Sequence, residues 1–171
     1  MENQTTTTKV ALKWGVIIGI LSVIYSTLIM VMGLLGNPAL GWVAYVVIAV
    51  GAFLAMKSFR KENNDFMTYG QGLGIGAMTS AVSGIISSTY SFVYMKFIDP
   101  TAMDPIMKKA EEDMEKKGLS PEQIDQALEM SKVFMSPGAM FVWGVLGSII
   151  LGFLFSLLIS AIVKKEKPIF V

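Results

Sequence analysis

Four long runs of apolar residues, broken by short polar punctuation and one long amphipathic insertion, organise this chain. The first run, Trp14 to Leu35, would be about 33 Å long as a helix, enough to span a hydrocarbon core of about 30 Å. Lys9 and Lys13 precede it as the basic region of a signal peptide would. The run is too long for one, however, and no small-residue cleavage site follows, so an uncleaved signal anchor is expected. Gly36, Asn37 and Pro38 predict a tight turn, with glycine ending one helix, asparagine capping the next and proline in its first turn. The second span then runs over 38–56, with Trp42 and Tyr45 near one interface and Lys57, Arg60 and Lys61 beyond the other end.

The third run, 66–97, takes Asp65 as its cap and would reach about 48 Å, so one end must tilt or protrude. Its uncharged centre is Gly72 to Met95, and Asp99 before Pro100 marks its stop. Ser136 and Pro137 open the fourth span, 137–163, and Lys164, Lys165 and Lys167 end it. The pattern predicts an all-α fold: a four-helix transmembrane bundle forming one membrane domain over 1–171, with a two-helix amphipathic extracytoplasmic insertion at about 98–135.

Within the insertion, Asp104 and Pro105 open a helix whose apolar residues Met103, Ile106, Met107, Ala110 and Met114 recur at spacings of three and four. Lys108 with Glu112, Lys109 with Asp113, and Asp113 with Lys117 stand at i, i+4 along it. Gly118 ends this helix. Ser120, Pro121 and Gln123 open the next with the signature of a capping box, and Ile124, Ala127, Leu128, Phe134 and Met135 share its apolar face. The simpler expectation is that the two stripes pack on each other and on the membrane surface. A partner surface built from Met103, Met107, Met114, Leu128 and Phe134 is the alternative, because six of the thirteen methionines lie between Met103 and Met140 and thioethers suit adaptable contacts.

Composition agrees with a bilayer as the solvent. Hydrophobic residues make up 53% of 171 positions, and the 14 basic and 13 acidic residues fall in the tails and connections, for a net charge of +1. Nothing in that balance points to nucleic acid. Cysteine and histidine are absent, which excludes disulfides, thiol nucleophiles, imidazole bases and the usual ligands of zinc, haem and iron–sulfur clusters. No catalytic residue, cofactor or metal site is expected. The long apolar runs hold no intramembrane carboxylate, the usual mark of a proton relay.

The most specific motif is a register of small residues. Gly72, Gly76, Ser80, Gly84 and Ser88 recur every fourth position in span three, and Gly144, Ser148, Gly152, Ser156 and Ser160 do so in span four. Lipid supplies no hydrophobic drive for helices to associate, so rows of small side chains that let backbones approach predict close packing of these two spans. Gly15 and Gly19 offer a shorter row in span one. Gly70, Gly72, Gly74 and Gly76 look superficially like a phosphate loop, but no strand precedes them. Span three is also rich in hydroxyls, from Thr79 to Ser91, which bond to helix carbonyls and neighbouring helices or, alternatively, line a path for a small solute. Lys96 and Asp99 flank its end and could pair, or serve separately as a snorkelling lysine and a turn aspartate.

Lysine and arginine counts set an orientation. The N-terminal tail has two, the turn between spans one and two none, the segment from Lys57 to Lys61 three and the C-terminal tail three, placing both termini in the cytoplasm. The connection from Lys96 to Met135 has six lysines but is long and carries nine acidic residues.

The segment Phe66 to Pro100, with Tyr69, Gly70, Gly72 and Gly76 leading to Tyr90, Tyr94, Lys96, Phe97, Ile98, Asp99 and Pro100, resembles an uncharacterised family of small bacterial four-span membrane proteins, a domain of unknown function. The resemblance covers nearly the whole chain. It implies a multi-pass protein of the bacterial inner membrane and supplies no activity. Two functions are expected: a non-enzymatic accessory, scaffold or assembly subunit whose partners are lipid and either itself or another membrane protein, and, as the alternative, a small oligomeric channel or facilitator for a small polar solute or ion.

Overall fold

A computed structural model describes residues 6–35 and 37–167. Its described residues form six α-helices: α1 (Thr7–Val31), α2 (Pro38–Glu62), α3 (Tyr69–Val93), α4 (Asp104–Lys116), α5 (Pro121–Phe134) and α6 (Pro137–Val163), with a π-helical turn, Tyr94–Ile98, following α3. Helices α1, α2 and α6 are long and apolar enough to cross a membrane. Helix α3 matches α1 and α2 at 25 residues and is uncharged, but its glycines, serines and threonines leave it outside that group.

Short polar residues start these helices by accepting orphan backbone N–H groups. Asn37 accepts from Ala39 at 3.0 Å, Ser136 accepts from Ala139, and Thr68 and Ser120 each form a full capping box with the glutamine three residues on. Thr68, rather than the expected Asp65, caps α3. Asn64 and Asp65 take left-handed conformations (φ 53° and 65°) in the turn out of α2, where Asp65 faces Arg60 instead.

Helix ends depart from the apolar runs because a helix needs backbone bonds and caps, not hydrophobicity, to continue. Helix α1 starts at Thr7, capped by Thr6, and α2 carries its charged residues as far as Glu62. Helix α1 stops at Val31 ahead of Gly33, whose φ of +65° suits glycine. The expected turn residue Gly36 lies outside the described residues. The third helix is shorter than 66–97, ending at Val93 before the π-helical turn.

Helix α3 is the axis of the bundle, packed along α6 on one face and α1 on another, while α2 touches all three. The apolar core, Val10, Ala52, Ala55, Met56, Phe59, Met67, Ile75 and Val163, sits at the terminal end of the bundle, where α1 begins and α6 ends. Polar contacts close the same end. Met67 and Lys165 exchange backbone hydrogen bonds at 2.9 and 2.8 Å, Arg60 donates to Asp65 at 2.8 Å and to the Val163 carbonyl at 3.0 Å, and Lys165 pairs with the second oxygen of Asp65. The hydrogen bond from Arg60, followed by that from Lys165, lowers the Asp65 carboxyl from 3.8 to about 2.

At the opposite end, α4 and α5 pack mainly on each other. Ile124 is buried between them, and Met103, Ile106, Met107, Met114 and Leu128 are half-buried, so the two apolar stripes face one another, the first part of the simpler expectation. Among the described residues the ion pair on α4 is Asp113 with Lys116, at 3.7 Å, in place of the three expected i, i+4 pairs. These exposed side chains gain too little from any one partner to be held at a given spacing.

Candidate functional site

The small residues of α3 and α6 meet in strict antiparallel order. Gly72 faces Ser160, Gly76 faces Ser156, Ser80 faces Gly152, Gly84 faces Ser148, and Ser88 faces Gly144. Every rung joins one glycine to one serine. A Cβ added at Gly72, Gly76 or Gly84 would lie 2.7–2.8 Å from the opposing serine Cβ and closer still to its hydroxyl. The ten residues expected to pack helices are therefore the α3–α6 seam. Two cross-helix bonds lock its terminal end, Ser160 donating to the Tyr69 carbonyl at 2.7 Å and Tyr69 to the Leu157 carbonyl at 3.2 Å. Helix α1 uses the same device less fully, with Gly15 and Gly19 against Val82 and Ile86.

A further stripe on α3, Ser83, Ser87 and Ser91, lines a cleft that it shares with α2. Near the terminal end α2 covers α3 with Ala52, Ala55, Met56 and Phe59, all buried. In its other half α2 is largely exposed, from Leu40 to Val47. The helices thus enclose a cleft of about 670 Å³ confined to the half of the bundle nearest α4 and α5. Each helix contributes one face at helical spacing: Ser22, Tyr25, Ser26 and Ile29 from α1; Gly41, Ala44, Tyr45 and Ile48 from α2; the serine stripe from α3, continued by Met95 of the π-helical turn; Met140, Gly144, Gly147 and Leu151 from α6.

The lining is uncharged and mixes apolar side chains with hydroxyls. Ser26, Ser83, Ser87 and Ser148 return their protons to carbonyls of their own helices, and Tyr25 donates across to the Leu40 carbonyl at 2.7 Å. Among the described residues Ser22, Ser88 and Ser91 have no hydrogen-bond partner for their hydroxyls, although Ser88 is only 8% exposed. Gly41 and Gly147 border the cleft with nothing within 4 Å of where a side chain would begin. The π-helical turn at the mouth widens the helix by one residue and sets Met95 into the lining.

Lys96 and Asp99 do not pair. The lysine lies over the rings of Phe92 and Phe97, 5.3 and 5.5 Å from their centroids, while Asp99 accepts from the N–H and hydroxyl of Thr101 and organises the turn after Pro100. Of the expected partner surface, Met103, Met107, Met114 and Leu128 are half-covered by the α4–α5 contact, and Phe134 remains exposed beside Trp143. The α1 and α2 walls of the cleft went unread in the sequence, although Ser22 and Ser26 stand four apart on span one. Among the described residues no group of acidic side chains could hold a metal ion.

Comparison with curated proteins and with solved structures returns no match. A family model described as "Protein of unknown function (DUF4199)" matches residues 13–165. The chain belongs to that family, a domain of unknown function as the resemblance read from Phe66 to Pro100 implies.

Proposed function

We propose that this chain is a non-enzymatic, four-span membrane protein, with both termini in the cytoplasm, that serves as an assembly or accessory subunit by seating a transmembrane helix of a partner protein in the cleft. Treating α3 as the fourth span rests on its 25 uncharged residues and its position between α1 and α6, which shield it from lipid and so relax the need for apolar side chains.

One observation carries the seat: the cleft repeats the chemistry of the α3–α6 seam, glycine faces beside serine hydroxyls, without the second helix that the seam has. Unpartnered hydroxyls in hydrocarbon are unfavourable, and a lipid tail offers them no acceptor, whereas a neighbouring helix offers both carbonyls and hydroxyls. Ala52, Met56, Phe59 and Ile75 fill the other half of the bundle, so the alternative, an oligomeric channel, would need its path between copies of the chain.

A photoreactive residue in place of Gly147, where the space is empty, is expected to crosslink in native membranes to one discrete protein. Gly147→Leu should abolish that protein's co-purification and leave the melting temperature unchanged. Crosslinks to lipid alone, or solute flux through reconstituted vesicles, would count against the seat.

A further inference from the structure

A second groove, distinct from the cleft, opens at the terminal end of the bundle between α1, α2 and α6, with a volume of about 700 Å³. Its charge is lopsided. Lys57, Arg60 and Lys61 line it together with a single carboxylate, Asp65, which is already bonded to Arg60 and Lys165. Lys57 and Lys61 stand one turn apart on α2, both exposed, and Arg60 between them is held in place by Asp65 and by the Val163 carbonyl. Those two bonds occupy the Nε–H and one Nη1–H of a guanidinium that has five donors, and Arg60 itself lines the groove.

The remaining wall is apolar. Phe53 and Leu54 lie about one and two turns further into α2 than Lys57 and Lys61 of the cationic rim, Ile162 stands beside the Val163 that Arg60 bonds, and Trp14, whose indole N–H has no acceptor among the described residues, completes the wall. A cationic rim above an apolar wall, at the point where a spanning helix leaves hydrocarbon, matches a ligand with an anionic head and a hydrocarbon tail. Basic pockets of this kind between spanning helices take phosphate head groups of lipids. A soluble anion would use the rim and leave Phe53, Leu54 and Ile162 without a role.

We infer that the groove between Trp14, Lys57 and Ile162 is a binding site for an anionic phospholipid, the phosphate held by Lys57, Arg60 and Lys61 and an acyl chain lying along Phe53 and Ile162. The site is independent of the cleft and of what occupies it.

The chain's three tryptophans allow a direct test. In the full-length protein carrying Trp42→Phe and Trp143→Phe, both at exposed positions, Trp14 alone reports on the groove. Reconstitution into vesicles of brominated phosphatidylglycerol diluted in phosphatidylcholine is expected to quench Trp14 more strongly than the reverse mixture, with brominated phosphatidylcholine in phosphatidylglycerol. Relative affinity should fall about fivefold for each of Lys57→Gln and Lys61→Gln, the equivalent of about 1 kcal/mol per basic residue near a membrane surface. Lys108→Gln and Lys109→Gln on α4, with the same charge change, should have no effect. Salt titration of the unsubstituted rim gives a second readout, since screening must weaken the preference. Equal quenching by both lipids, insensitivity to Lys57→Gln and Lys61→Gln, or reversal by inorganic phosphate alone would each overturn the assignment.

Discussion

At the scale of single residues, the seam between α3 and α6 owes its closeness to one rule, a glycine opposite every serine. Gly76→Ser would set two serines on one rung and force the backbones apart, at a cost of about 1–3 kcal/mol typical of overpacking. Exchanging the rung, with Gly76→Ser and Ser156→Gly together, should recover most of that loss, because Ser80–Gly152 and Ser88–Gly144 already run in the exchanged sense. Thermal unfolding in detergent of the two single variants and the double measures the coupling, and Gly74→Ala, which meets nothing within 4 Å, should leave stability nearly unchanged. Asp65 supplies a separate test. Its carboxyl is lowered in the folded protein from 3.8 to about 2, so the stabilisation it contributes is fully present above about pH 4 and is lost as pH falls toward 2. Asparagine tolerates the left-handed backbone at this position, so Asp65→Asn isolates the charge. The variant should melt below the wild type at neutral pH, with the gap closing between pH 4 and pH 2.

At the scale of elements, what could be read in advance follows from which interactions are local. Caps at Asn37, Ser120 and Ser136 were legible because a cap is made by residues two or three positions apart. The two small-residue rows were legible as rows, and their pairing follows from antiparallel packing of neighbouring spans. The cleft was not legible, because it depends on how far α2 leans from α3 in one half of the bundle, a distance that no periodicity encodes. Thr68 takes the cap expected of Asp65, since Arg60, five residues away, and Lys165, 100 residues away, hold one oxygen each of that carboxylate. Helices α4 and α5 form a separate unit whose one fully packed side chain is Ile124, 7% exposed. Ile124→Ala should therefore loosen this pair alone, by about 2 kcal/mol for a buried truncation that can partly relax. Faster amide exchange over 104–134 with an unchanged bundle melting temperature is the expected result, and a matching loss in α3 or α6 would mean that the pair braces the bundle.

At the scale of the whole molecule, the proposed orientation rests on how charge is divided between the two ends. The end with the filled core also holds Lys57, Arg60, Lys61, Lys164 and Lys165, all from short segments that flank spanning helices, where basic residues weigh most in setting orientation. The opposite end carries its lysines on α4 and α5, a long insertion whose charges weigh little and are offset by acidic neighbours. The proposed topology puts the first set in the cytoplasm and the second outside. With no native cysteine, single replacements at Lys61, Lys117 and Lys165 give unambiguous labels. In sealed right-side-out vesicles an impermeant thiol reagent should modify Lys117→Cys at once, and Lys61→Cys and Lys165→Cys only after the membrane is opened. If α3 failed to cross, the segments on either side of it would share a compartment. Lys61 and Lys117 would then label together, and the serine–glycine seam could no longer run the full depth of the bilayer.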